Sequence, residues 1–375
     1  MPRDKLLFTP GPLTTSETVK LAMLRDLGSR DSTFIELVSE IRQRLLQIGG
    51  VDDGTYEAVL MQGSGTFGVE SVLSSMIPQG GKLLVASNGG YGRRMVQIAQ
   101  TLAIDTVTIV SPETQPIDPQ QIAEALGRDP ATTHVGMIHC ETTTGILNPV
   151  QEIGGLVRKL RRIFIVDAMS SFGGIPMEIR AWGIDFLISS ANKCIQGVPG
   201  FSFVLARRDL LRESESRARS VSLDLFSQWK GLENNGQFRF TPPTHALLAF
   251  RQALAELDAE GGIAARAARY AENQRILLDG MKQLGFEPYL ASRYQSHIIT
   301  TFRYLRHPKF DFAAFYQRLS DKGFAIYPGK LTDCDCFRIG TIGHIFPRDV
   351  QELLSAIRTS LEEMGIAPSK AASGA

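Results

Sequence analysis

Lys193 follows a short apolar stretch, and its position suggests covalent chemistry. Residues 186–188 are apolar enough for a strand covered on both faces, and Ser189-Ser-Ala-Asn192 is expected to leave that strand. Glycine and proline in Gly197-Val-Pro-Gly200 favour a loop beyond the lysine. A long amine held where a sheet passes into a loop is suited to forming a Schiff base with an aldehyde cofactor. The alternative is a solvated surface lysine, the usual fate of this residue type.

Asp167 ends a second apolar stretch, which begins at residue 163. Pyridoxal phosphate needs a lysine for its aldehyde and an acid that keeps its ring nitrogen protonated. An acid after a strand is also a common N-cap of the next helix. Residues 168–174, however, are small and loop-like, a weak start for a helix. Because α/β sheets build their sites at the carboxyl ends of parallel strands, we favour a functional role for Asp167.

Gly63-Ser-Gly-Thr-Phe-Gly68 follows a predicted strand and opens a helical pattern. Its glycine spacing fits a dinucleotide site only if an acid about twenty residues further on ends the second strand and binds the ribose. The second strand instead runs into Ala86-Ser-Asn-Gly-Gly90, which contains no acid. The hydroxyls of Ser64 and Thr66, with backbone N–H groups at a helix N-terminus, fit a single phosphate better. A tight turn without a ligand is the alternative.

Three further side chains lie in or beside predicted strands. Tyr91, in a glycine-rich turn, is suited to stacking on a flat ring. The hydroxyls in His139-Cys-Glu-Thr-Thr-Thr-Gly145 are able to bond a pyridine oxygen. Arg338 is a single cation in a predicted strand and can hold a carboxylate or phosphonate with two parallel hydrogen bonds. Taken singly, each fits packing or a surface salt bridge equally well, so only their joint occurrence favours a site.

The elements that must position these residues alternate between strands and helices. Strands are predicted at 57–61, 82–86, 106–110, 134–139, 163–166, 185–188 and 201–206, with helices between them at 66–76, 93–101, 119–126 and 150–160. This alternation predicts an α/β fold with a mostly parallel sheet flanked by helices.

The pattern changes after about residue 241. Long helices at 245–257 and 262–284 lead to strands at 296–304 and 336–341 and a closing helix at 347–364. We therefore predict a large cofactor-binding domain at 25–244 and a smaller C-terminal α+β domain at 245–375. The segment 1–24 is expected to reach the small domain or the active site, and the tail 367–375 to fray.

Composition argues against several classes of function. The 375 residues are 43% hydrophobic and 21% charged, an ordinary globular balance. The net charge of +1, without a basic arm or an acidic tail, predicts neither a nucleic acid nor a membrane as partner. No secretion signal begins the chain, and the four cysteines predict reduced thiols in the cytoplasm. We predict no metal site, because Cys334 and Cys336 have no second pair at zinc-ligand spacing.

Six motifs together resemble the class V, fold-type I aminotransferases, over nearly the whole chain from residue 7 to about 364. They are Thr9-Pro-Gly-Pro12, Gly63-Ser-Gly-Thr66, Asn88-Gly-Gly-Tyr-Gly-Arg93, Glu141-Thr-Thr-Thr-Gly145, Val166-Asp-Ala-Met-Ser-Ser-Phe-Gly-Gly174 and Ser189-Ser-Ala-Asn-Lys-Cys-Ile-Gln-Gly-Val-Pro-Gly200. The last two are the most specific. The resemblance implies a fold-type I, pyridoxal-phosphate-dependent transferase that works as a homodimer with active sites shared between subunits. The expected reaction moves the amino group of 2-aminoethylphosphonate to pyruvate.

The same resemblance assigns roles to individual residues. Lys193 is expected to bind the cofactor aldehyde, Asp167 to pair with the ring nitrogen and Tyr91 to stack on the ring. Thr142 is expected to reach the ring oxygen, and Arg338 to bind the acidic end of the substrate. The residues implied at the cofactor phosphate are Ser64, Gly65, Thr66 and Asn192, with Thr241 reaching the phosphate in the neighbouring subunit.

One loop departs from the family. Related transaminases often carry a Trp-Asp-rich stretch after the first helix, where this chain has Gly28-Ser-Arg-Asp31. That loop lies near the substrate entrance in related enzymes, so Arg30 is a candidate second cation for a phosphonate. This difference from the family leaves open which amine is the amino donor and which direction of the reaction is favoured.

Other activities remain as alternatives. Another class V transaminase would take alanine or serine with glyoxylate. A cysteine desulfurase is disfavoured because those enzymes usually place a histidine before the lysine, where this chain has Asn192. An NAD-dependent dehydrogenase would explain Gly63–Gly68 and leave Lys193 without a role. A penicillin-binding enzyme is excluded, since Ser190-Ala-Asn-Lys193 lacks the accompanying S-D-N and K-T-G triplets.

Overall fold

The structure is a computed structural model that describes residues 4–329, 331 and 334–367. Its strands are β1 (Leu6–Leu7), β2 (Tyr56–Gln62), β3 (Lys82–Ser87), β4 (Asp105–Val110), β5 (Thr132–Ile138), β6 (Cys140–Glu141), β7 (Ile146–Leu147), β8 (Ile163–Asp167), β9 (Phe186–Ser190), β10 (Phe201–Arg207), β11 (Ile299–Arg303), β12 (Phe324–Ala325), β13 (Tyr327–Pro328) and β14 (Cys336–Gly340). Its α-helices are α1 (Glu17–Leu21), α2 (Ser32–Ile48), α3 (Gly65–Met76), α4 (Gly90–Thr101), α5 (Pro119–Arg128), α6 (Val150–Lys159), α7 (Arg208–Glu213), α8 (Leu225–Asn235), α9 (Thr244–Glu260), α10 (Gly262–Gln283), α11 (Phe312–Asp321) and α12 (Pro347–Glu363).

A seven-stranded sheet in the order β2-β10-β9-β8-β5-β3-β4 forms the centre of the molecule. Its neighbouring strands are parallel, except that β10 runs antiparallel to both β2 and β9. Helices α3, α4 and α6 pack on strands of this sheet. The predicted α/β architecture with a mostly parallel sheet is therefore confirmed.

The central strands read as continuous apolar runs because both of their faces are covered. In β8 and β9 the side chains of residues 164–166 and 186–188 are fully buried. At the edge, β4 has only exposed and half-buried residues, and Asp105 at its start pairs with Lys82 on β3. A partly polar, charged edge strand is the usual protection against pairing with other chains.

The topology brings the predicted chemistry to one edge of the sheet. β8 and β9 are parallel neighbours, so Asp167 at the end of β8 and Lys193 just beyond β9 leave the sheet on the same side. β2, β3 and β5 end at this edge as well, and the segments that follow them carry Ser64, Tyr91 in the first turn of α4, and Thr142. Ligands of open α/β sheets bind at this edge.

A second hydrophobic cluster lies in the C-terminal part of the chain. The three-stranded sheet β11-β14-β13 packs with α10, α11 and α12 around Phe302, Phe315 and Phe337. The N-terminal segment joins this cluster through Phe8, and β1 pairs in parallel with β12. The domain boundaries at 24/25 and 244/245 stay predictions, and residues 1–3 and 368–375 of the predicted segments lie outside the described residues.

Some local expectations were wrong. Ser189 and Ser190 do not leave the sheet but extend β9, since β10 pairs with both through Phe203 and Ser202. The strand β10 was predicted at 201–206, but its antiparallel direction was not, and neither was helix α2. The signal for α2 was present: Asp31 caps its first turn by accepting a hydrogen bond from Thr33 N, and buried residues recur at helical spacing along its length.

Helix lengths also bear on membrane association. Within residues 4–329, 331 and 334–367, every helix is too short or too polar to cross a bilayer.

Candidate active site

Lys193 lies in the loop after β9, beneath the N-terminal segment. Its Nζ donates a hydrogen bond to the carbonyl of Pro10 at 2.7 Å. Gly11 has a φ of +129°, and a Cβ added there would come within 2.5 Å of Lys193 Nζ. Glycine is required at this position on both grounds. The N-terminal segment thus leaves room for the amine and orients it.

Asp167 ends β8 as a buried carboxylate. Its Oδ1 accepts a hydrogen bond from Met169 N at 2.9 Å. The pKa of Asp167 is raised to about 6, chiefly by burial and also by the charge of Glu141, against the lowering effects of the Met169 hydrogen bond and the charges of Lys193 and Arg94. A carboxylate in this environment gains most from a cationic partner, which a protonated ring nitrogen would be.

One cavity of about 160 Å³ unites most of the predicted site. It has apolar walls from residues such as Val69 and Met95, and a polar set drawn from the ends of β2, β3, β8 and β9. The predicted residues that line it are Ser64, Gly65, Thr66, Tyr91, Asp167, Asn192 and Lys193.

The end of the cavity at α3 is built for an anion. Ser64 is the N-cap of α3 but makes no side-chain capping hydrogen bond, so its hydroxyl can turn to a ligand. A side chain at Gly65 would collide with Met169, which keeps the backbone N–H groups accessible. The positive end of the helix dipole adds to the attraction. Asn192 also lines the cavity, and its Oδ1 accepts a hydrogen bond from Ser190 Oγ at 3.1 Å.

Arg94 belongs to this anion site, and sequence reasoning missed it. Its Nη1 donates to Thr66 Oγ1 at 3.1 Å, and its guanidinium lies 4.9 Å from the centre of the Tyr91 ring. Arg94 also lines the cavity. The available signal was spacing: Arg94 follows Tyr91 by three residues, so both side chains share one face of a helix.

Glu141 is the second residue that sequence reasoning left without a role. This fully buried carboxylate accepts hydrogen bonds from Tyr91 N at 3.0 Å and Gly92 N at 3.2 Å through Oε2. Its Oε1 accepts from Thr143 Oγ1 at 2.8 Å. From β6, about fifty residues further along the chain, it therefore caps α4 and fixes the backbone that carries Tyr91. A side chain at Gly89 would collide with Glu141.

Arg338 and Thr142 lie together, outside the wall of the Lys193 cavity. Arg338, in β14, donates from Nη1 to the Thr142 carbonyl at 3.0 Å and from Nε to the Pro328 carbonyl at 3.1 Å. Its side chain is 1% exposed, and burial lowers its pKa. The roles of Arg338 toward substrate and of Thr142 toward the ring stay predictions.

Thr241 and Arg30 share a different surface depression, of about 370 Å³. Gln62 Nε2 donates to the Phe240 carbonyl at 3.0 Å and steadies the loop that carries Thr241. Within one chain neither residue lines the Lys193 cavity. That separation accords with the expectation that Thr241 serves a neighbouring subunit, and the roles of both residues stay predictions.

Comparison with known proteins decides the family. The model of the family described as aminotransferase class-V matches residues 16–334.

The chain belongs to this class V aminotransferase family. Curated relatives of the aminotransferase include the 2-aminoethylphosphonate–pyruvate transaminase of Syntrophobacter fumaroxidans, 55% identical over 361 residues that cover 96% of this chain and 97% of the relative. The enzyme of the same name from Vibrio cholerae is 52% identical over 358 residues, which cover 95% of this chain and 97% of the relative. Membership of the class V aminotransferase family excludes the alternative that the chain is an NAD-dependent dehydrogenase.

Solved structures confirm the fold-type I architecture of the aminotransferase. Ureidoglycine–glyoxylate aminotransferase from Bacillus subtilis superposes with a TM-score of 0.90 at 23% identity, covering 99% of this chain and 96% of that one. Pyridoxamine–pyruvate aminotransferase from Mesorhizobium loti superposes with a TM-score of 0.88 at 24% identity, covering 98% of this chain and 94% of that one. At these identities the likeness shows the fold alone.

Class V aminotransferases depend on pyridoxal phosphate, as predicted, and the cavity of this aminotransferase fits that cofactor. Lys193 provides an amine, Asp167 a buried carboxylate, Tyr91 an aromatic face and the start of α3 an anion site, all around one cavity. When bound, the cofactor supplies an aldehyde for amines and a pyridinium ring that withdraws electrons.

We expect Arg94→Gln to weaken cofactor binding about threefold to tenfold, because an exposed cation beside Thr66 is lost from the anion site. The measurement is a titration of cofactor-free protein with pyridoxal phosphate, followed by visible absorbance. Arg93→Gln is the matched control, since Arg93 pairs with Glu113 at 2.9 Å instead of contacting Thr66. Equal affinities for the two variants would contradict this role.

Proposed function

We propose that this aminotransferase moves the amino group of 2-aminoethylphosphonate to pyruvate, giving phosphonoacetaldehyde and L-alanine. The observation that carries the proposal is 55% identity, over 96% of the chain, to a relative named for that reaction. The cavity around Lys193 and Asp167 supports the amino-transfer chemistry, and Arg338 supports an acidic substrate.

Lys193 is the group that moves protons. Its Nζ would move a proton from the amine-bearing carbon of the donor to the aldehyde carbon of the cofactor, and in the opposite direction, to the carbon that becomes the amine-bearing carbon of alanine, in the half-reaction with pyruvate. The Pro10 carbonyl at 2.7 Å orients this amine at the cavity. Gly11 above it makes room for the amine by lacking a side chain.

Asp167 holds a proton on the ring nitrogen of the bound cofactor. Its burial makes an ion pair with a ring N–H strong, because little water competes for either charge. The Met169 N–H fixes Oδ1 of the carboxylate. Tyr91, held in place by Glu141 through its backbone N–H, covers one face of the ring.

Arg338 is proposed to bind the phosphonate of the donor and the carboxylate of pyruvate. Within the described residues, two of its five N–H groups donate to the carbonyls of Thr142 and Pro328. Those bonds fix the plane of the guanidinium, and the remaining N–H groups present a fork to an acid. Arg338 thus makes acidic amines and 2-oxo acids the preferred substrates.

The test is a panel of amines added to the pyridoxal-phosphate-loaded enzyme, with the visible spectrum followed in the half-reaction. We expect 2-aminoethylphosphonate to react much faster than alanine or serine, and pyruvate to restore the spectrum. Arg338→Lys should lower kcat/KM for both substrates about 100-fold while cofactor absorbance persists, because the guanidinium fork is lost. A faster reaction of alanine or serine with glyoxylate as acceptor would replace this function with the other class V activity.

We further propose a homodimer whose sites are completed across the interface. Thr241 and Arg30 lie in one depression, and Phe240, which also lines it, is 47% exposed. Exposed apolar side chains beside polar ones are typical of subunit interfaces. Light scattering should give the mass of two chains; an active monomer would contradict the shared site.

A cytoplasmic location is also proposed. Cys140, Cys194, Cys334 and Cys336 are free thiols, as expected in a reducing compartment. Cell fractionation tests the location, and activity in a secreted fraction would contradict it.

A further inference from the structure

A basic cavity lies at the edge of the sheet opposite Lys193. It has a volume of about 580 Å³ and is lined by five arginines, Arg158, Arg161, Arg162, Arg180 and Arg207. The cavity borders the beginning of β2, β8 and β9 and the end of the antiparallel β10. Because β8 begins at this cavity and ends at Asp167, the two sites are separated by the length of a strand.

Two of the five arginines are neutralised by acids. Arg207 donates to Asp185 Oδ1 and Asp209 Oδ1, each at 2.7 Å. Arg180 pairs with Asp53 and donates to Thr55 Oγ1 at 2.9 Å. These pairs form one wall of the cavity and leave little charge there for a ligand.

The other three arginines have no acidic partner among the described residues. Arg158, Arg161 and Arg162 lie within five positions at the end of α6. Arg162 Nη2 donates to the Pro130 carbonyl at 2.9 Å, but its Nε is buried without a hydrogen-bond partner in the described part of the chain. Arg158 lies in the last turn of α6, where the helix dipole stabilises a positive charge. The dipole does not explain why two more arginines, Arg161 and Arg162, follow the helix.

Arg158, Arg161 and Arg162 line the same cavity, so an anion bound there would interact with all three positive charges. Guanidinium groups bind phosphate oxygens in pairs of parallel hydrogen bonds. The cavity also has an apolar part, from the ring of Tyr56 and the side chains of Ile163 and Leu210. Tyr56 Oη is used internally, donating to the Ile184 carbonyl at 2.7 Å, so only its ring faces a ligand.

We propose that this cavity is a second ligand site, specific for a small organic phosphate with at least two negative charges. The phosphate oxygens bind Arg158, Arg161 and Arg162, and the apolar part of the ligand packs on Tyr56, Ile163 and Leu210. Its concave shape favours a small molecule over an extended nucleic acid. The site is independent of the amino-transfer proposal, since it shares no lining residue with the Lys193 cavity.

The test is calorimetric titration of the pyridoxal-phosphate-loaded enzyme with ADP and with inorganic pyrophosphate. Loading the cofactor keeps both probes out of the anion site at α3. We expect one saturable site per chain, competition between the probes, and an affinity that falls as salt rises.

The decisive comparison uses two triple variants of equal charge. Arg158→Gln/Arg161→Gln/Arg162→Gln should bind both probes at least about tenfold more weakly. Arg128→Gln/Arg275→Gln/Arg348→Gln changes three exposed helical arginines elsewhere and should bind like the unaltered enzyme. Both should keep their melting temperature and transaminase activity.

Three results would overturn the proposal. The first is no saturable binding of either probe, and the second is equal binding by the two triple variants. The third is tighter binding of a single-stranded RNA than of ADP, which would make the surface a nucleic-acid contact.

Discussion

Replacing Lys193 by alanine should lower kcat at least about 10³-fold and remove the visible absorbance of the lysine-bound cofactor. The loss is large because one amine both binds the aldehyde and moves the proton in each half-reaction. The Pro10 carbonyl and Gly11 would remain, but there would be no amine for them to orient. The measurements are steady-state turnover with 2-aminoethylphosphonate and pyruvate, and the spectrum of the purified variant.

Lys193→Arg is the informative companion variant. It keeps a cation able to donate to the Pro10 carbonyl, so folding and cavity charge are preserved, yet guanidinium does not form the imine. We expect it to be as inactive as Lys193→Ala. Activity near that of the unaltered enzyme in either variant would show that another group does this chemistry.

Asp167→Asn should lower kcat at least about 100-fold, since a neutral amide cannot hold the proton on the ring nitrogen. The amide oxygen can still accept from Met169 N, so the loop after β8 should keep its shape. Transaminase assays of Asp167→Asn and of Asp167→Glu, which keeps the charge but lengthens the side chain, separate charge from shape. Unchanged turnover in Asp167→Asn would contradict the role of the carboxylate.

The same substitution should stabilise the cofactor-free protein at neutral pH. Burial raises the pKa of Asp167 from 3.8 to about 6, so the unfolded chain releases this proton at lower pH than the folded chain does. Stability is therefore lost as pH rises from about 4 to about 6, by about 3 kcal/mol in total. Asp167→Asn removes that loss, and its gain in melting temperature should be present at pH 7 and absent near pH 4. A gain that is the same at both pH values would mean that packing, not ionisation, is responsible.

The large-domain sheet and the centre of its site were readable from sequence for one physical reason. A strand buried on both faces is a run of apolar residues, and the polar residues at and after its end lie near the functional edge of a parallel sheet. Asp167, Lys193 and Ser64 follow such runs, and the structure places all three around one cavity. The reversed direction of β10 left no comparable mark in its sequence, because a buried strand reads alike in both directions.

Glu141, which was missed, and the predicted residues whose roles are still untested all depend on contacts between distant segments. Glu141 reads as one acid in a hydroxyl-rich loop, and only the folded chain shows that it accepts the N–H groups of Tyr91 and Gly92 at the start of α4. Arg338 lies on a strand of the second cluster, so its distance from the cavity depends on how α9 and α10 connect the two parts. The predicted roles of Thr241 and Arg30 involve a neighbouring subunit, and within one chain both residues lie in a depression separate from the Lys193 cavity.

The central claim is that position 193 carries the cofactor, and peptide mapping tests it most directly. The loaded enzyme is reduced with sodium borohydride, digested, and analysed by mass spectrometry. The account predicts a pyridoxyl-phosphate group on the peptide containing Lys193, and none in Lys193→Arg. The group on a different lysine of the unaltered enzyme would contradict the account.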